Sequence, residues 1–251
     1  MPIMDAADYY SGIVVDAYDK LKSSSFGAQP YASFVQTVGQ PGLEIGCGDG
    51  EPMLTLCAQG LDVDGVDSSL DMVQRCRENA ARMGLQVEVH HQRVEELSLR
   101  RRYASIYFAG PTFNLLPDDE TALSALAAIR DHLTDGGMAL IPLWIPDPTS
   151  DDELGVAREA QHDGGLLRYT PVSETCDPEL RTRSTTTLYE KLTASGTEAV
   201  ERNWIIHWHT PHSFAQICAR ADLEVVQVID DETGEAASTS GVEFTATVRR
   251  S

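Results

Sequence analysis

The stretch LEIGCGDG, residues 43–50, restricts the fold of this chain more than any other. Leu43 and Ile45 flank Glu44 in a short apolar run that predicts a buried strand. The run ends in Gly46, Gly48 and Gly50, at alternate positions. Glycine accepts positive φ and lets another molecule approach the backbone with no Cβ in the way. Residues 52–59 then predict a helix, with Pro52 suited to its first turn. Strand, glycine turn and helix together form the nucleotide crevice of an open α/β sheet. About one βα unit later, VDGVDSS predicts a second strand closing on Asp67, where a carboxylate can accept both hydroxyls of a ribose.

The rest of the chain supplies the sheet. Apolar spacings of three and four residues predict a helix over 5–21, and a shorter one follows over 31–38. After the glycine turn come a strand at 61–66 and a helix at 69–83, with Ser68 or Ser69 as N-cap and Gly84 at the C-cap. A third strand is expected at 86–91 and a fourth, continuous and apolar, at 104–109. A helix at 118–133 and a DGG turn at 135–137 lead to a fifth strand at 138–145. Five strands alternating with helices predict a doubly wound parallel sheet. The pattern then changes. A proline-rich acidic break precedes three β-rich runs, 166–172, 181–192 and 197–209, which predict an inserted antiparallel meander. A helix at 211–221 and strands at 224–229 and 242–248 complete the α/β part. The expected division is a helical N-terminal arm or lid at 1–40, a core at 41–146 and 210–251, and an inserted β subdomain at 147–209.

Charge narrows the partners. Against 39 acidic residues stand 19 basic ones, for a formal charge of −20. Phosphate backbones are bound through Lys and Arg, so nucleic acid is not an expected partner. No apolar run reaches the ~18 residues a membrane span needs, and residues 1–10 show no apolar signal segment. The five cysteines, Cys47, Cys57, Cys76, Cys176 and Cys218, have no CxxC or CxxH spacing. They read as reduced, buried thiols of a cytoplasmic protein.

LEIGCGDG, GVDSSLDMV, HHQRVEEL, FAGPTFNLL and the DGGMAL turn, in this order, resemble the class I S-adenosylmethionine-dependent methyltransferases. The resemblance covers residues 42–146, the last helix and the last two strands. Glu51 stands where a dinucleotide-binding GxGxxG would need its third glycine, which disfavours an oxidoreductase. The resemblance implies a seven-stranded Rossmann-like sheet and S-adenosyl-L-methionine as cofactor, with S-adenosyl-L-homocysteine as product and no metal. It implies that Glu44, Gly46, Cys47, Gly48 and Asp49 surround the methionyl part. Asp67 takes the ribose hydroxyls, and Ser68 and Met72 border ribose and adenine. Arg93, Val94 and Glu95 stand at the adenine edge, Ala109 stands beside the sulfonium, and Tyr18 closes over the cofactor. The chain departs from the family's pattern at Ala104, where Asp is frequent, and at Pro111, where Asn or Ser is.

Methyl transfer from a sulfonium is an in-line displacement that asks mainly for alignment and exclusion of water. Aromatic faces suit the cation, which nominates Phe113, Tyr10 and Tyr18. Strand alternation over NWIIHWH puts Trp204, Ile206 and Trp208 on one face and Ile205, His207 and His209 on the other. If that second face met the pocket mouth, either histidine could serve as a base. Arm plus insertion looks like the N-methyltransferases of amino sugars and antibiotic intermediates, lincosamide N-methyltransferases among them. The expected acceptor is therefore a small amine-bearing molecule. An O-methyltransferase using a histidine base is the alternative enzyme, and a cofactor-binding regulatory module is the alternative of another class. The exposed meander offers a surface for a homo-oligomer.

Overall fold

A computed structural model describes residues 9–21, 26–162, 165–239 and 241–251. The part of the first expected helix before residue 9 lies outside them. Six helices are described: α1 (Ile13–Leu21), α2 (Ala28–Val38), α3 (Met53–Ala58), α4 (Leu70–Arg82), α5 (Asp119–His132) and α6 (Pro211–Arg220). The strands are β1 (Gly42–Ile45), β2 (Val63–Asp67), β3 (Val89–His91), β4 (Tyr103–Phe108), β5 (Leu133–Trp144), β6 (Arg158–His162), β7 (Gly165–Asp177), β8 (Thr182–Thr193), β9 (Gly196–His207), β10 (Leu223–Asp230) and β11 (Glu243–Arg250).

Seven strands form one sheet in the order β10-β11-β5-β4-β1-β2-β3. β11 runs antiparallel to both its neighbours, and the other pairings are parallel. This is the doubly wound Rossmann-like sheet the sequence predicts. The strand order reverses between β1 and β4, and a crevice opens there beyond the strands' carboxyl ends. Alternation along β1 sends Leu43 and Ile45 into the layer under α5 and α6, with Ile106, Phe108, Leu126 and Phe214. On the opposite face Tyr107, Cys47, Met53 and Val73 pack with Tyr31 and Val35 of α2. Helix starts carry the caps their sequences supply. The Ser69 hydroxyl accepts from the Met72 N–H, the Asp118 carboxylate accepts from the Thr121 N–H, and Thr210 forms a capping box with Ser213.

β6 to β9 form a separate antiparallel sheet in chain order, inserted between β5 and α6. It has four strands, not three. The extra strand, REAQH, lies at the edge with no buried residue, so it carries no apolar alternation to detect. Three other local expectations change. DGG does not precede β5 but lies within it, as an irregularity where pairing to β4 skips from Leu133 to Met138. β3 shrinks to three residues. Cys176 is exposed and Cys57 only partly buried, while Cys47, Cys76 and Cys218 are buried free thiols. No helix among the described residues is long and apolar enough to cross a membrane.

Candidate active site

A cavity of about 230 Å³ opens at the carboxyl edge of the sheet, where β1 and β4 diverge. Its floor is the glycine turn. Gly46 and Gly48 take φ of +70° and +53°, and a Cβ on Gly46 would come within 2.5 Å of the Thr112 methyl. Glycine is therefore required at position 46 twice over, by conformation and by space. The Gly48 N–H donates to Asp67 Oδ2 at 2.8 Å, and the Ser69 N–H donates to Oδ1 at 2.8 Å. Burial pushes the Asp67 carboxyl up, and these two backbone donors oppose the rise. Each carboxylate oxygen keeps a second lone pair for a ligand hydroxyl.

Ser68 and Met72 continue this wall, and Arg93, Val94 and Glu95 form its far rim, with Arg93 and Glu95 paired at 3.7 Å. Tyr10 and Tyr18, 5.8 Å apart and edge-to-face, close the cavity from the N-terminal side. Apart from Thr112 and Ser69, these are the residues the sequence predicts for the site. The structure brings them around one space.

Four nominated cofactor residues do not line the cavity. Glu44 is fully buried on the opposite face of β1, in register with Tyr107, because strand alternation turns it away from Ile45. The Glu44 carboxyl faces the Tyr107 hydroxyl, which favours its charged form, but burial outweighs that and pushes its pKa well up. Cys47 packs beside Met53 and Gly65 on that same face. Asp49 is buried off the cavity wall, its backbone carbonyl accepting from the Asn79 amide at 2.7 Å. Ala109 belongs to the Tyr107 layer, and the preceding Phe108 meets the cavity instead.

The catalytic nominations divide likewise. Residues 112–115 form a 3₁₀ turn that buries Phe113 and Asn114 and leaves Thr112 and Leu115 on the cavity wall. Phe113 instead sits edge-to-face against Phe108 and Phe214, with ring centroids at 5.7 and 5.6 Å. His207 and His209 do not reach the cavity either. The strand end carries them behind the wall, 3% and 1% exposed, beside Asp119 and Arg181. Burial lowers the His207 pKa and drives His209 to about 3, where a proton would also be repelled by Arg181 and by protonation of His207. Both rings are thus neutral at pH 7.

Ligand atoms of Asp119, His207 and His209 lie within 4.8 Å of one another, a third partner the sequence did not place. Arg181 already supplies the cation there, bonding both Asp119 oxygens at 2.5 Å. The sequence also missed Leu115, Leu116, Pro117 and Thr121, and the insertion's Asn203, Trp204 and Ile205, all on the wall. Only Trp204 and Ile205 carried a signal, in the alternation of NWIIHWH.

Residues 43–137 match a family profile described as a methyltransferase domain. Several solved structures share the fold over nearly the whole chain. A methyltransferase from Streptomyces caelestis superposes with a TM-score of 0.76 at 21% identity, covering 97% of this chain and 98% of its own. A sugar N-methyltransferase from Streptoalloteichus gives 0.70 at 17%, covering 96% and 89%. An amino pentose methyltransferase from Micromonospora echinaspora, of calicheamicin biosynthesis and with S-adenosylmethionine bound, gives 0.66 at 20%, covering 95% and 97%. No curated protein matches the chain by sequence.

Proposed function

We propose that this chain, one of the S-adenosylmethionine-dependent methyltransferases by the domain it carries over residues 43–137, methylates an amine nitrogen of a small molecule in antibiotic or other secondary-metabolite biosynthesis. The residues present fit the cofactor. A glycine turn with no room for a Cβ at position 46 and a doubly anchored Asp67 make a cradle for a nucleoside with free ribose hydroxyls. When bound there, the cofactor supplies an electrophilic methyl on a sulfonium.

The protein's own part is placement and exclusion of water. Tyr10, Tyr18, Phe108 and Trp204 present aromatic surface to that space, which suits a cation and keeps water out. Asn203, Trp204 and Ile205, on the inserted sheet, also line the cavity and on this reading form the acceptor wall. On this reading residues 41–146 and 210–251 carry the cofactor, and 147–209 select the acceptor.

One observation carries the choice of nitrogen. Among the described residues, the acceptor side of the cavity holds no histidine and no carboxylate; Asp67 and Glu95 lie on the cofactor side. Burial raises the Tyr9 pKa to about 12 and pushes Tyr10 well up, so both hydroxyls stay neutral at pH 7. An acceptor that must lose a proton before attack finds no base here, whereas a neutral amine needs none. His207 and His209, the bases an O-methyltransferase would use, are buried away from the cavity, which favours the nitrogen reading. Two of the structural relatives act on sugars, as an N-methyltransferase and an amino pentose methyltransferase.

The test is incubation with methyl-labelled cofactor and a panel of amino sugars, other amines and phenols. Label should appear on amines, with a rate that rises through the pKa of each amine. Transfer to phenols alone would sink the nitrogen assignment. Tight cofactor binding with no transfer to any acceptor would mark a regulatory module.

A further inference from the structure

The two helices before β1 belong to different bodies. α2 buries Tyr31, Ala32 and Val35 against the main sheet. α1 does not follow it. Ile13, Val14 and Ala17 bury themselves against Leu167 and Tyr189 of the inserted sheet, in an apolar cluster that contains no residue of the main sheet or its helices. The Tyr9 and Tyr189 hydroxyls bond at 2.8 Å, and Lys191 pairs with Asp16 at 2.8 Å, on that same side.

Across the cavity mouth the link between α1 and the core is of another kind. The Gly12 N–H donates to Asp71 Oδ2 at 2.8 Å, Arg75 pairs with Asp16 at 3.2 Å, and the Ser69 hydroxyl donates to the Tyr10 carbonyl. Ser69 caps α4, and Asp71 and Arg75 lie in its first two turns. Polar contacts of this sort exchange for water at little net cost, whereas opening an apolar contact costs in proportion to area. A solvent-open cleft already runs along the junction. It is lined by Ser11 from the N-terminal segment and by Ser69 and Asp71 from the α4 side, and it shares Ser68, Gln92 and Arg93 with the cavity.

We propose that the polar seam between α1 and α4 is where the structure parts for the cofactor to enter and leave, with α1 staying on the inserted sheet. Asp16 and Asp71 are the positioning residues that close the seam and hold Tyr10 and Tyr18 over the cavity. The inference rests on the cofactor occupying that cavity and is independent of the acceptor.

The experiment is stopped-flow dissociation of S-adenosylhomocysteine from the full chain, followed by intrinsic fluorescence. Arg75→Met and Asp71→Ala each open the seam and should speed release by roughly threefold to tenfold, the range of a partly exposed ion pair or a single hydrogen bond. Lys191→Met weakens only the insertion side, where apolar contact suffices, and should leave release within about twofold. Added salt should speed release from the wild type and do so much less in Arg75→Met. Amide exchange on the unliganded chain gives a second readout: Asp71→Ala should lose protection at Gly12 while Leu167 and Tyr189 keep theirs. Equal acceleration by Lys191→Met and Arg75→Met, or no acceleration by either seam variant, overturns the proposal. Failure of the wild type to bind S-adenosylhomocysteine would instead strike the cofactor assignment.

Discussion

The fully buried side chain of Asn114 holds the backbone of Trp144 from both directions. Its amide donates to the Trp144 carbonyl at 2.7 Å, and its oxygen accepts from the Trp144 N–H at 3.3 Å. The same amide nitrogen donates to the His207 carbonyl at 3.1 Å. Trp144 is the last residue of β5, where the chain leaves for the inserted sheet, and His207 is where it returns. A single side chain on the cavity loop therefore ties that loop to both ends of the insertion.

Replacing Asn114 by Leu should consequently be costly out of proportion to its size. Three backbone groups would be left buried without a partner, each worth about 1–3 kcal/mol. We expect a loss of roughly 3 to 5 kcal/mol in urea unfolding after partial relaxation. Asn114→Asp should do no better, because its carboxylate would face two carbonyl oxygens. A loss below about 1 kcal/mol for both variants would contradict the tie.

Glu44 should make the protein less stable as pH rises. Burial raises its folded-state pKa well above the ordinary value of 4.5. The folded state then holds a proton the unfolded state has released, so stability is full below the unfolded pKa. It falls as pH climbs from there through the folded pKa. Glu44→Gln cannot ionise and should flatten that slope. In unliganded protein the variant should match the wild type near pH 4 and equal or exceed it at pH 8, by chemical denaturation. A Glu44→Gln protein markedly weaker at pH 8 would mean that the charge has a partner.

His209 acts in the opposite direction. Its folded-state pKa is depressed to about 3 from 6.5, first by burial. The unfolded state binds the proton first, so stability is present above about pH 6.5 and is lost as pH falls toward 3. A displacement of that size is worth about 5 kcal/mol. Replacement by Gln should shrink the acid loss between pH 6 and 4 by a substantial part, read from thermal midpoints. The same variant should leave the pH profile of methyl transfer unchanged, since the ring does not face the cavity.

These residues show what the sequence could reveal and where it stopped. LEIGCGDG and Asp67 were readable because backbone conformation and a ribose-binding carboxylate leave a signature within one βα unit. The sheet was readable because its parallel strands are continuous apolar runs. Strand alternation, applied to β1, would already have turned Glu44 away from Ile45; the motif position alone drew it to the cavity. Phe113 was misplaced by the 3₁₀ turn, which reverses which of two neighbours faces inward and has no period to detect. Asn114 left no local trace, since its partners at Trp144 and His207 are 30 and 93 residues away. The histidines read as pocket residues because alternation identifies a face and says nothing of where the strand leaves the wall.

Asp67→Asn tests whether the glycine turn and the ribose site are one device. The carboxylate now accepts from the Gly48 N–H with one oxygen and from the Ser69 N–H with the other. An amide has a single acceptor atom, so its NH₂ must confront one of those donors. The variant loses a charge-assisted bond to the ligand, about 1.5–3 kcal/mol, and also loosens either the turn at Gly48 or the start of α4. Calorimetry should therefore find S-adenosylhomocysteine bound roughly 100-fold more weakly. Ser68→Ala, on the same wall but contributing only a backbone carbonyl to His91, should stay within about threefold. Equal losses in the two variants would mean that Asp67 holds the turn alone and does not take the ribose.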